Sequence, residues 1–227
     1  MKIAQQHLFN LTPKEAAELQ LQLRKKLIFD AGFDIDKVNL VAGADVSYSV
    51  KEDTIYATVV VLSFPDLKVV EEAWAKRKAG FPYIPGLLVF REGPALLDAF
   101  EKIENEPDVV FFDGHGVSHP RGFGIASHLG ILLDKPSVGV AKTNLVGELT
   151  EPSQTKGSMT PIIKNGEIIG MTVRTKDKVK PVYVSVGHKI SLKKAVELVL
   201  KVSVKFRIPE PTRQAHLFSN EIRISLS

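Results

Sequence analysis

The stretch NLVAGADVSYSVKEDTIYATVVVLSF, residues 39–64, decides the fold class of this chain. Each half is rich in β-branched and aromatic residues, and the charged residues 51–53 (KED) separate the two halves. This pattern predicts two antiparallel strands joined by a turn. Residues 107–116 (PDVVFFDGHG) form an apolar run that ends in Asp-Gly, and they predict a buried central strand of the same sheet.

Residues 11–29 predict a helix ahead of these strands. Thr12 is placed as the N-cap, Pro13 occupies the first helical position, and Glu15 lies three residues after the cap. These are three independent signs of a helix start. After the strand pair, residues 67–80 (LKVVEEAWAKRKAG) favour either a third strand or a helix, because periodicity alone does not separate the two.

The second half of the chain alternates helices with strands. We predict helices over residues 87–106, 124–134, 191–206 and 210–224, a strand over 135–142, and an antiparallel pair over 166–176 and 180–188. The first of these helices contains Gly93-Pro94, where we expect it to break or restart. No element is assigned between residues 143 and 165. The order of elements predicts one α/β domain over residues 1–227, with a mixed central β-sheet flanked by helices.

Composition narrows the chemistry that this domain can perform. The 227 residues include no cysteine, which excludes disulfides, thiolate catalysis and cysteine-held zinc or iron–sulfur sites. Any metal must therefore be held by oxygen or histidine. The net charge of +4 favours a phosphate-bearing partner only modestly. Residues 1–20 lack the apolar core of a signal peptide, and no run is long enough to span a bilayer, so we expect a cytoplasmic protein without a membrane partner.

Three acidic residues interrupt apolar segments. Asp45 lies in VAGADVSY, Asp113 ends VVFFD, and Glu92 follows LLVFR. A carboxylate in such surroundings is costly unless it is paired, hydrogen-bonded or bound to a metal. Taken singly, each acid could cap a turn or pair with a basic neighbour such as Arg91. Taken together, the three indicate one site, and clustered carboxylates without cysteine point to Mg²⁺ or Mn²⁺.

The segment DGHGVSHPRGFGIASH, residues 113–128, is the candidate phosphate-binding loop. Its glycines allow the close approach of a ligand, and the start of the following helix would supply N–H donors to an anion. The residues concerned are Gly114, Gly116, Gly122 and Gly124, flanked by His119 and Arg121. The loop matches no known phosphate-loop motif, and a mobile surface loop would explain its glycines nearly as well.

Three further residues have two open interpretations each. Lys142 ends the apolar run VGVAK and could stabilise the carboxylates or a phosphate, or it could be a solvated strand end. His216 is a lone histidine on a predicted helix, and such a residue is more often structural than catalytic. Tyr83 is held between Pro82 and Pro85, and it is either a stiff projection or a buried structural tyrosine.

Together these motifs closely resemble the endonuclease V family, the inosine-directed nucleases with a ribonuclease-H-like fold. The matching stretches are GADVSY (43–48), FPYIPGLLVFREGP (81–94), PDVVFFDGHGVSHPRGFGIASHLG (107–130), SVGVAK (137–142), GHKISLKKAVELV (187–199) and RIPEPTRQAH (207–216). The resemblance implies that Asp45, Glu92 and Asp113 hold Mg²⁺, with Mn²⁺ as a substitute. It implies that Lys142 and His216 belong to the same catalytic centre.

The resemblance also implies the reaction and the substrate. A DNA-repair endonuclease of this family hydrolyses the second phosphodiester bond on the 3′ side of a deaminated adenine, leaving a 3′-hydroxyl and a 5′-phosphate. A poorly pairing base costs less to extrude from the stack, which favours selectivity for inosine. The residues expected to contact DNA and the lesion are Pro82, Tyr83, Ile84, Pro85, Gly86, Gly114, Gly116, His119, Arg121 and Gly124, with Tyr83 as a wedge between bases.

Three rival functions stay open at this point. The first is the same chemistry on RNA that contains inosine. The second is a module that binds deaminated bases without cutting, and the third is a metal-dependent phosphatase acting on small phosphate esters. We expect a monomeric enzyme whose partner is DNA with deaminated bases.

Overall fold

The computed structural model describes residues 1–49 and 53–226. Within these residues the chain forms one mixed sheet of eight strands, in the order β3-β2-β1-β4-β5-β8-β7-β6. The strands are β1 Leu40–Ser49, β2 Thr54–Ser63, β3 Val69–Lys78, β4 Val109–Phe112, β5 Ser137–Ala141, β6 Met159–Lys164, β7 Glu167–Val173 and β8 Val182–His188. The helices are α1 Pro13–Arg24, α2 Leu88–Glu101, α3 Ile125–Leu133, α4 Leu192–Val202 and α5 Glu210–Ser225, with a short 3₁₀ turn at Ile35–Lys37.

The predicted antiparallel pairing of the two strands is confirmed, and the first of them, β1, carries part of the site described below. β1 pairs antiparallel with β2 from Leu40↔Ser63 to Ser49↔Thr54. Residues 51 and 52 of the predicted KED turn lie outside the described residues. β4 pairs parallel with β1, and β5 pairs parallel with β4, so the carboxyl ends of these three strands meet at one edge of the sheet. Residues 69–78 form a strand, which decides between the two interpretations of that segment.

The start of α1 confirms the predicted cap. The Glu15 amide donates to the Thr12 hydroxyl at 3.3 Å, and the Thr12 amide donates to the Glu15 carboxylate at 2.8 Å. The two contacts form a reciprocal capping box, which satisfies donors that the first helical turn leaves free.

The predicted break in α2 is wrong. The helix continues from Leu88 to Glu101 with Pro94 inside it. Proline removes one backbone hydrogen bond of a helix interior, at a cost of about 3 kcal/mol. Burial of one helix face offsets this loss, because Val89, Phe90 and Leu96 are almost completely inaccessible to solvent.

One strand was absent from the sequence prediction. β6 covers Met159–Lys164 and pairs antiparallel with β7 through Asn165 and Gly166, which both have positive φ angles. Asn-Gly is a preferred pair for such two-residue hairpin turns. The predicted pairing of residues 166–176 with 180–188 is confirmed, since β7 pairs antiparallel with β8.

Each face of the sheet carries its own hydrophobic core. Alternate residues of β1 and β4, such as Ala44 and Phe112, pack with α1, α2 and α3. Their neighbours on the other face, such as Val41 and Phe111, pack with α4 and α5. α5 lies so close to β1 that a Cβ atom on Gly43 would be 2.0 Å from the Pro211 carbonyl oxygen. In the described part of the chain, no helix is both long and apolar enough to cross a bilayer.

Candidate active site

The three acidic residues and Lys142 converge at the carboxyl edge of the sheet. Ala44 of β1 pairs with Phe112 of β4, so the next residues, Asp45 within β1 and Asp113 directly after the end of β4, are neighbours. Lys142 directly follows β5, and its ammonium forms an ion pair with the Asp113 carboxylate. Parallel pairing of three strands therefore brings together residues that are far apart in the sequence.

Asp45 is held by α5. His216 Nδ1 lies 2.9 Å from Asp45 Oδ2, and the Ser219 hydroxyl donates to the same oxygen at 3.1 Å. His216 is therefore not isolated, because its ring contacts one of the clustered acids, and its catalytic role stays a prediction.

Glu92 reaches the site from α2, on the other face of the sheet. Its side chain is buried, and the Tyr48 hydroxyl donates a hydrogen bond to its carboxylate. Arg91 does not form an ion pair with Glu92. Its guanidinium binds Asp53 at 2.7 Å and the Phe81 carbonyl oxygen at 2.8 Å. A pair between Arg91 and Glu92 was the simplest structural explanation of this glutamate, and the geometry excludes it.

The acids interact electrostatically with one another. Burial raises the pKa of Glu92 to about 8; Tyr48 opposes this shift, whereas the negative charges of Asp45 and Asp113 add to it. Burial also raises the pKa of Asp45, and the nearby Asp113 raises it further. Carboxylates that repel one another in a desolvated site are stabilised by a cation between them.

The chemistry of these residues fits a hard divalent cation, since all three supply carboxylate oxygens. Across residues 1–49 and 53–226, no three acidic or histidine side chains are already arranged to hold a metal ion. Each carboxylate instead contacts a neighbouring side chain. Asp113 faces the Lys142 ammonium. An imidazole binds Asp45, and a hydroxyl binds Glu92. The donor set is therefore present, and its side chains would have to turn toward a shared cation.

A cavity of about 300 Å³ opens beside this cluster. Asp113 and Lys142 form part of its wall, as do seven of the ten residues predicted to contact the lesion: Tyr83, Ile84, Pro85, Gly86, Gly114, His119 and Gly124. Pro82, Gly116 and Arg121 lie outside that lining. Tyr83 is 70% exposed at the rim, so the alternative of a buried structural tyrosine is wrong.

Several side chains fix the loop that carries Tyr83. His119 Nε2 lies 3.1 Å from the Gly86 carbonyl oxygen, and Arg121 donates to the same oxygen at 2.5 Å. Gln20 of α1 donates to it at 3.2 Å and accepts from Arg121 at 2.6 Å. Gly86 has a φ of +80°, a conformation that glycine adopts readily. In this structure His119 and Arg121 therefore hold the loop in place.

The start of α3 is bonded differently from the prediction. The Gly124 amide donates to the Gly116 carbonyl at 2.9 Å, and the Ala126 amide donates to the His115 carbonyl at 3.1 Å. A Cβ atom on Gly116 would lie 2.0 Å from the Val186 carbonyl oxygen. The Gly124 and Ala126 amides and the close approach at Gly116 therefore serve the loop's own backbone, and anion binding by this loop stays a prediction.

Three residues of the site were not selected from the sequence. Tyr48 binds Glu92, Ser219 binds Asp45, and Gln20 binds the Gly86 carbonyl. Tyr48 stands three residues after Asp45, inside the motif GADVSY, so the motif itself pointed toward it. Gln20 and Ser219 lie on helices far from any motif acid in sequence, and only the packing of α1 and α5 brings them to the site.

Comparison with known proteins identifies the family. The family model for endonuclease V matches residues 21–217. Endonuclease V of Trichormus variabilis is 52% identical over 215 residues, which cover 95% of this chain and 97% of that protein. The crystal structure of endonuclease V from Streptomyces avermitilis has a TM-score of 0.90 at 39% identity and covers 95% of both chains.

Endonuclease V from Ciona intestinalis was solved in complex with a 24mer DNA containing an inosine followed by a ribo-adenosine. That structure has a TM-score of 0.83 at 31% identity, and the match covers 94% of this chain and 98% of that chain. The ribonuclease-H-like α/β fold implied by the sequence resemblance is shared with these structures. The chain belongs to the endonuclease V family of nucleases.

Proposed function

We propose that this chain is a divalent-cation-dependent endonuclease of DNA repair. It recognises a deaminated adenine, present as inosine in DNA, and hydrolyses the second phosphodiester bond on its 3′ side to leave a 3′-hydroxyl and a 5′-phosphate. The observation that carries the proposal is the meeting of Asp45, Glu92 and Asp113 beside a cavity rimmed by the exposed Tyr83. The inosine-containing DNA bound by the Ciona intestinalis relative supports the choice of substrate.

Lesion capture is assigned to the cavity and to Tyr83. A base that pairs poorly leaves the stack at a lower cost, and an aromatic or apolar wedge fills the gap that it leaves. Tyr83 is exposed on a loop stiffened by Pro82 and Pro85 and held at the Gly86 carbonyl. A rigid loop loses little conformational entropy when it inserts, which favours its use as a wedge.

Phosphodiester hydrolysis is assigned to the acidic cluster. Asp45, Glu92 and Asp113 are the residues proposed to hold Mg²⁺, or Mn²⁺ in its place. When bound, the cation supplies positive charge that activates water and stabilises the charge on the phosphate. Tyr48 and His216 fix the orientation of Glu92 and Asp45 through their hydrogen bonds.

Lys142 is assigned the role of stabilising the negative charge that builds up on the phosphate. Its ammonium faces Asp113 and the cavity wall, so it can exchange its carboxylate partner for a phosphate oxygen when the strand binds. In this proposal residues 1–227 act as one catalytic domain and as a monomer.

A nicking assay tests the proposal. A 5′-labelled DNA strand with one inosine should be cut once in the presence of Mg²⁺ and left intact in EDTA. The product should end one nucleotide past the inosine, and its 3′-hydroxyl should be extended by a polymerase. Cutting at another position, or equal cutting of a matched strand with adenine, would contradict the assignment.

The rival functions have distinct outcomes in the same assay. A matched RNA strand that is cut faster than the DNA strand would favour an inosine-directed ribonuclease. Tight binding of inosine DNA without any nick in Mg²⁺ or Mn²⁺ would favour a binding module. Hydrolysis of p-nitrophenyl phosphate without nicking would favour a phosphatase.

A further inference from the structure

The segment that joins α4 to α5, residues 203–209, reaches the acidic edge from the face opposite to Tyr83. The loop of Tyr83 leads into α2, which packs with α1 and α3 on one face of the sheet. α4 and α5 pack on the other face, and Ile208 anchors the connecting segment there. A nucleic-acid strand that passes over the acids from the Tyr83 side therefore meets this segment next.

This segment is tied to the backbone of the catalytic edge. Arg207 donates from Nη2 to the Lys142 carbonyl at 2.9 Å and to the Pro181 carbonyl at 2.7 Å. The Thr175 hydroxyl donates to the Arg207 carbonyl at 2.6 Å. Arg207 thus fixes the position of residue 206 relative to Lys142, which pairs with Asp113.

Phe206 projects from the segment into solvent. Its side chain is 47% exposed, and within the described residues neither hydrophobic core includes it. The Arg213 guanidinium carbon lies 4.4 Å from the centroid of the Phe206 ring, and Glu210 holds that guanidinium through contacts of 2.7 and 2.5 Å. An arginine that stacks on one part of an aromatic ring leaves the exposed part as a flat surface of fixed orientation.

The surroundings of Phe206 are basic. Lys205 precedes it and is exposed, and Lys176 donates to the Lys205 carbonyl at 3.1 Å. Lys178 and Lys180 are exposed on the same neighbouring loop, and the acid within that run, Asp177, is engaged by the Lys156 amide at 2.6 Å. Aromatic rings set among cationic side chains are typical of surfaces that bind single nucleic-acid strands, because bases stack and phosphates pair with the cations.

We propose that Phe206, stacked with Arg213, binds the base of the first nucleotide downstream of the cleaved bond, while Lys205 and its lysine neighbours bind the adjoining phosphates. The inference rests on the proposed function, which places the lesion in the cavity and the cleaved phosphate at Asp113 and Lys142. With the lesion held on the Tyr83 face, the strand crosses the acidic edge, and its 3′ continuation lies on the face that carries Phe206. The nucleic-acid strand is then bound on both sides of the phosphodiester bond that is hydrolysed.

The test is a double-mutant cycle between the protein and the DNA. One inosine strand is intact, and a second carries an abasic nucleotide at the first position downstream of the cleaved bond. Dissociation constants are measured in EDTA, so that no cutting occurs. Phe206→Ala should weaken binding of the intact strand about tenfold, in the range found for base–aromatic stacking, and should leave the abasic strand unaffected.

Matched variants separate stacking from other effects. Phe206→Trp should retain the affinity for the intact strand, since indole also stacks. Ile168→Ala, which truncates a side chain of β7 that is 60% exposed, should change neither dissociation constant. Lys205→Ala should weaken both strands and reduce the dependence of binding on salt, because it removes a phosphate contact.

Failure of this inference is distinguishable from failure of the proposed function. If the unmodified enzyme nicks inosine DNA and Phe206→Ala binds the intact strand as tightly as the unmodified enzyme does, the stacking surface is overturned. The same holds if Phe206→Ala weakens both strands equally. If the unmodified enzyme shows no preference for inosine, the proposed function fails. In that case the stacking is still measured by comparing how tightly Phe206→Ala and the unmodified enzyme bind an undamaged strand.

Discussion

His216 Nδ1 lies 2.9 Å from Asp45 Oδ2, although 171 positions separate the two residues along the chain. Ser219, one helical turn further along α5, donates to the same oxygen. Asp45 itself stands on β1, so the orientation of its carboxylate depends on how the C-terminal helix packs against the sheet. The acidic cluster is thus assembled from the first strand, two other parts of the sheet edge and helices on both faces.

Asp45→Asn and Asp113→Asn should each remove nicking while leaving the affinity for inosine DNA within about threefold. Both changes keep the side-chain volume but remove a charge proposed to bind the cation, and such a loss of several kcal/mol lowers the rate by about a thousandfold or more. Single-turnover nicking and fluorescence anisotropy measure the two effects. Asp98→Asn is the control: Asp98 is an exposed residue of α2 that pairs with Arg77, and the variant should cut normally. Rates near those of the unmodified enzyme in either site variant would refute the site.

Tyr48→Phe should weaken the response to Mg²⁺ and spare DNA binding. The change removes the hydroxyl that donates to Glu92 and leaves a buried carboxylate without its oriented partner. Loss of a group that positions a metal ligand costs about 10- to 100-fold in affinity for the metal. The Mg²⁺ concentration that gives half-maximal nicking should rise by that factor. An unchanged Mg²⁺ titration with a lower maximal rate would show that Tyr48 acts in another way.

Tyr83→Ala should reduce the preference for inosine DNA over undamaged DNA by about tenfold, because the exposed ring is the proposed wedge. Tyr83→Phe should retain most of the preference, since the ring is kept. Leu8→Ala removes another exposed apolar side chain and serves as the control. Equal preference in Tyr83→Ala and the unmodified enzyme would count against the wedge.

The buried histidines should lower the stability of the fold in acid, whereas Glu92, whose pKa burial raises to about 8, contributes a pH dependence of the opposite sign. His128 is fully buried, burial lowers its pKa well below the usual value, and His7 lies 2.5 Å away through Nε2 atoms on both rings. A histidine with a lowered pKa in the folded state stays neutral there while the unfolded chain takes up a proton below about pH 6.5. The unfolded state then binds more protons, so stability falls as the pH falls from about 6.5 toward the folded-state pKa, by up to about 1.4 kcal/mol per pH unit for each such group.

Urea denaturation at pH 7.5, 6.0 and 5.0 measures this effect. His128→Leu should flatten the dependence of the unfolding free energy on pH below 6.5, whatever its effect on stability at pH 7.5. His115 and His119, whose pKa values burial lowers to about 4, should retain part of the dependence. The same slope in His128→Leu and the unmodified protein would show that His128 does not contribute to it.

Much of the fold could be predicted from local sequence. The β1–β2 pair, the capping box at Thr12 and the strand ending at Asp113 follow from side-chain shape, alternation and capping chemistry, which act over a few residues. Local rules failed where packing outweighed them. α2 continues through Gly93 and Pro94 because its buried face offsets a missing hydrogen bond. β6 is a different case, because the local signal of its turn, Asn165-Gly166, is present in the sequence and was passed over.

For the site, the sequence by itself determined which residue types were available: three acids in apolar surroundings, no cysteine, and a tyrosine between prolines. A buried charge is costly unless it is paired, hydrogen-bonded or bound to a metal, so three such acids taken together indicate a site. Only the tertiary structure decided the partners of these acids. The contacts join residues that are 29 to 171 positions apart in the sequence: Lys142 with Asp113, Tyr48 with Glu92, and His216 with Asp45. Such contacts arise from strand order and helix packing, which fix side chains in space and leave no periodic trace in the sequence.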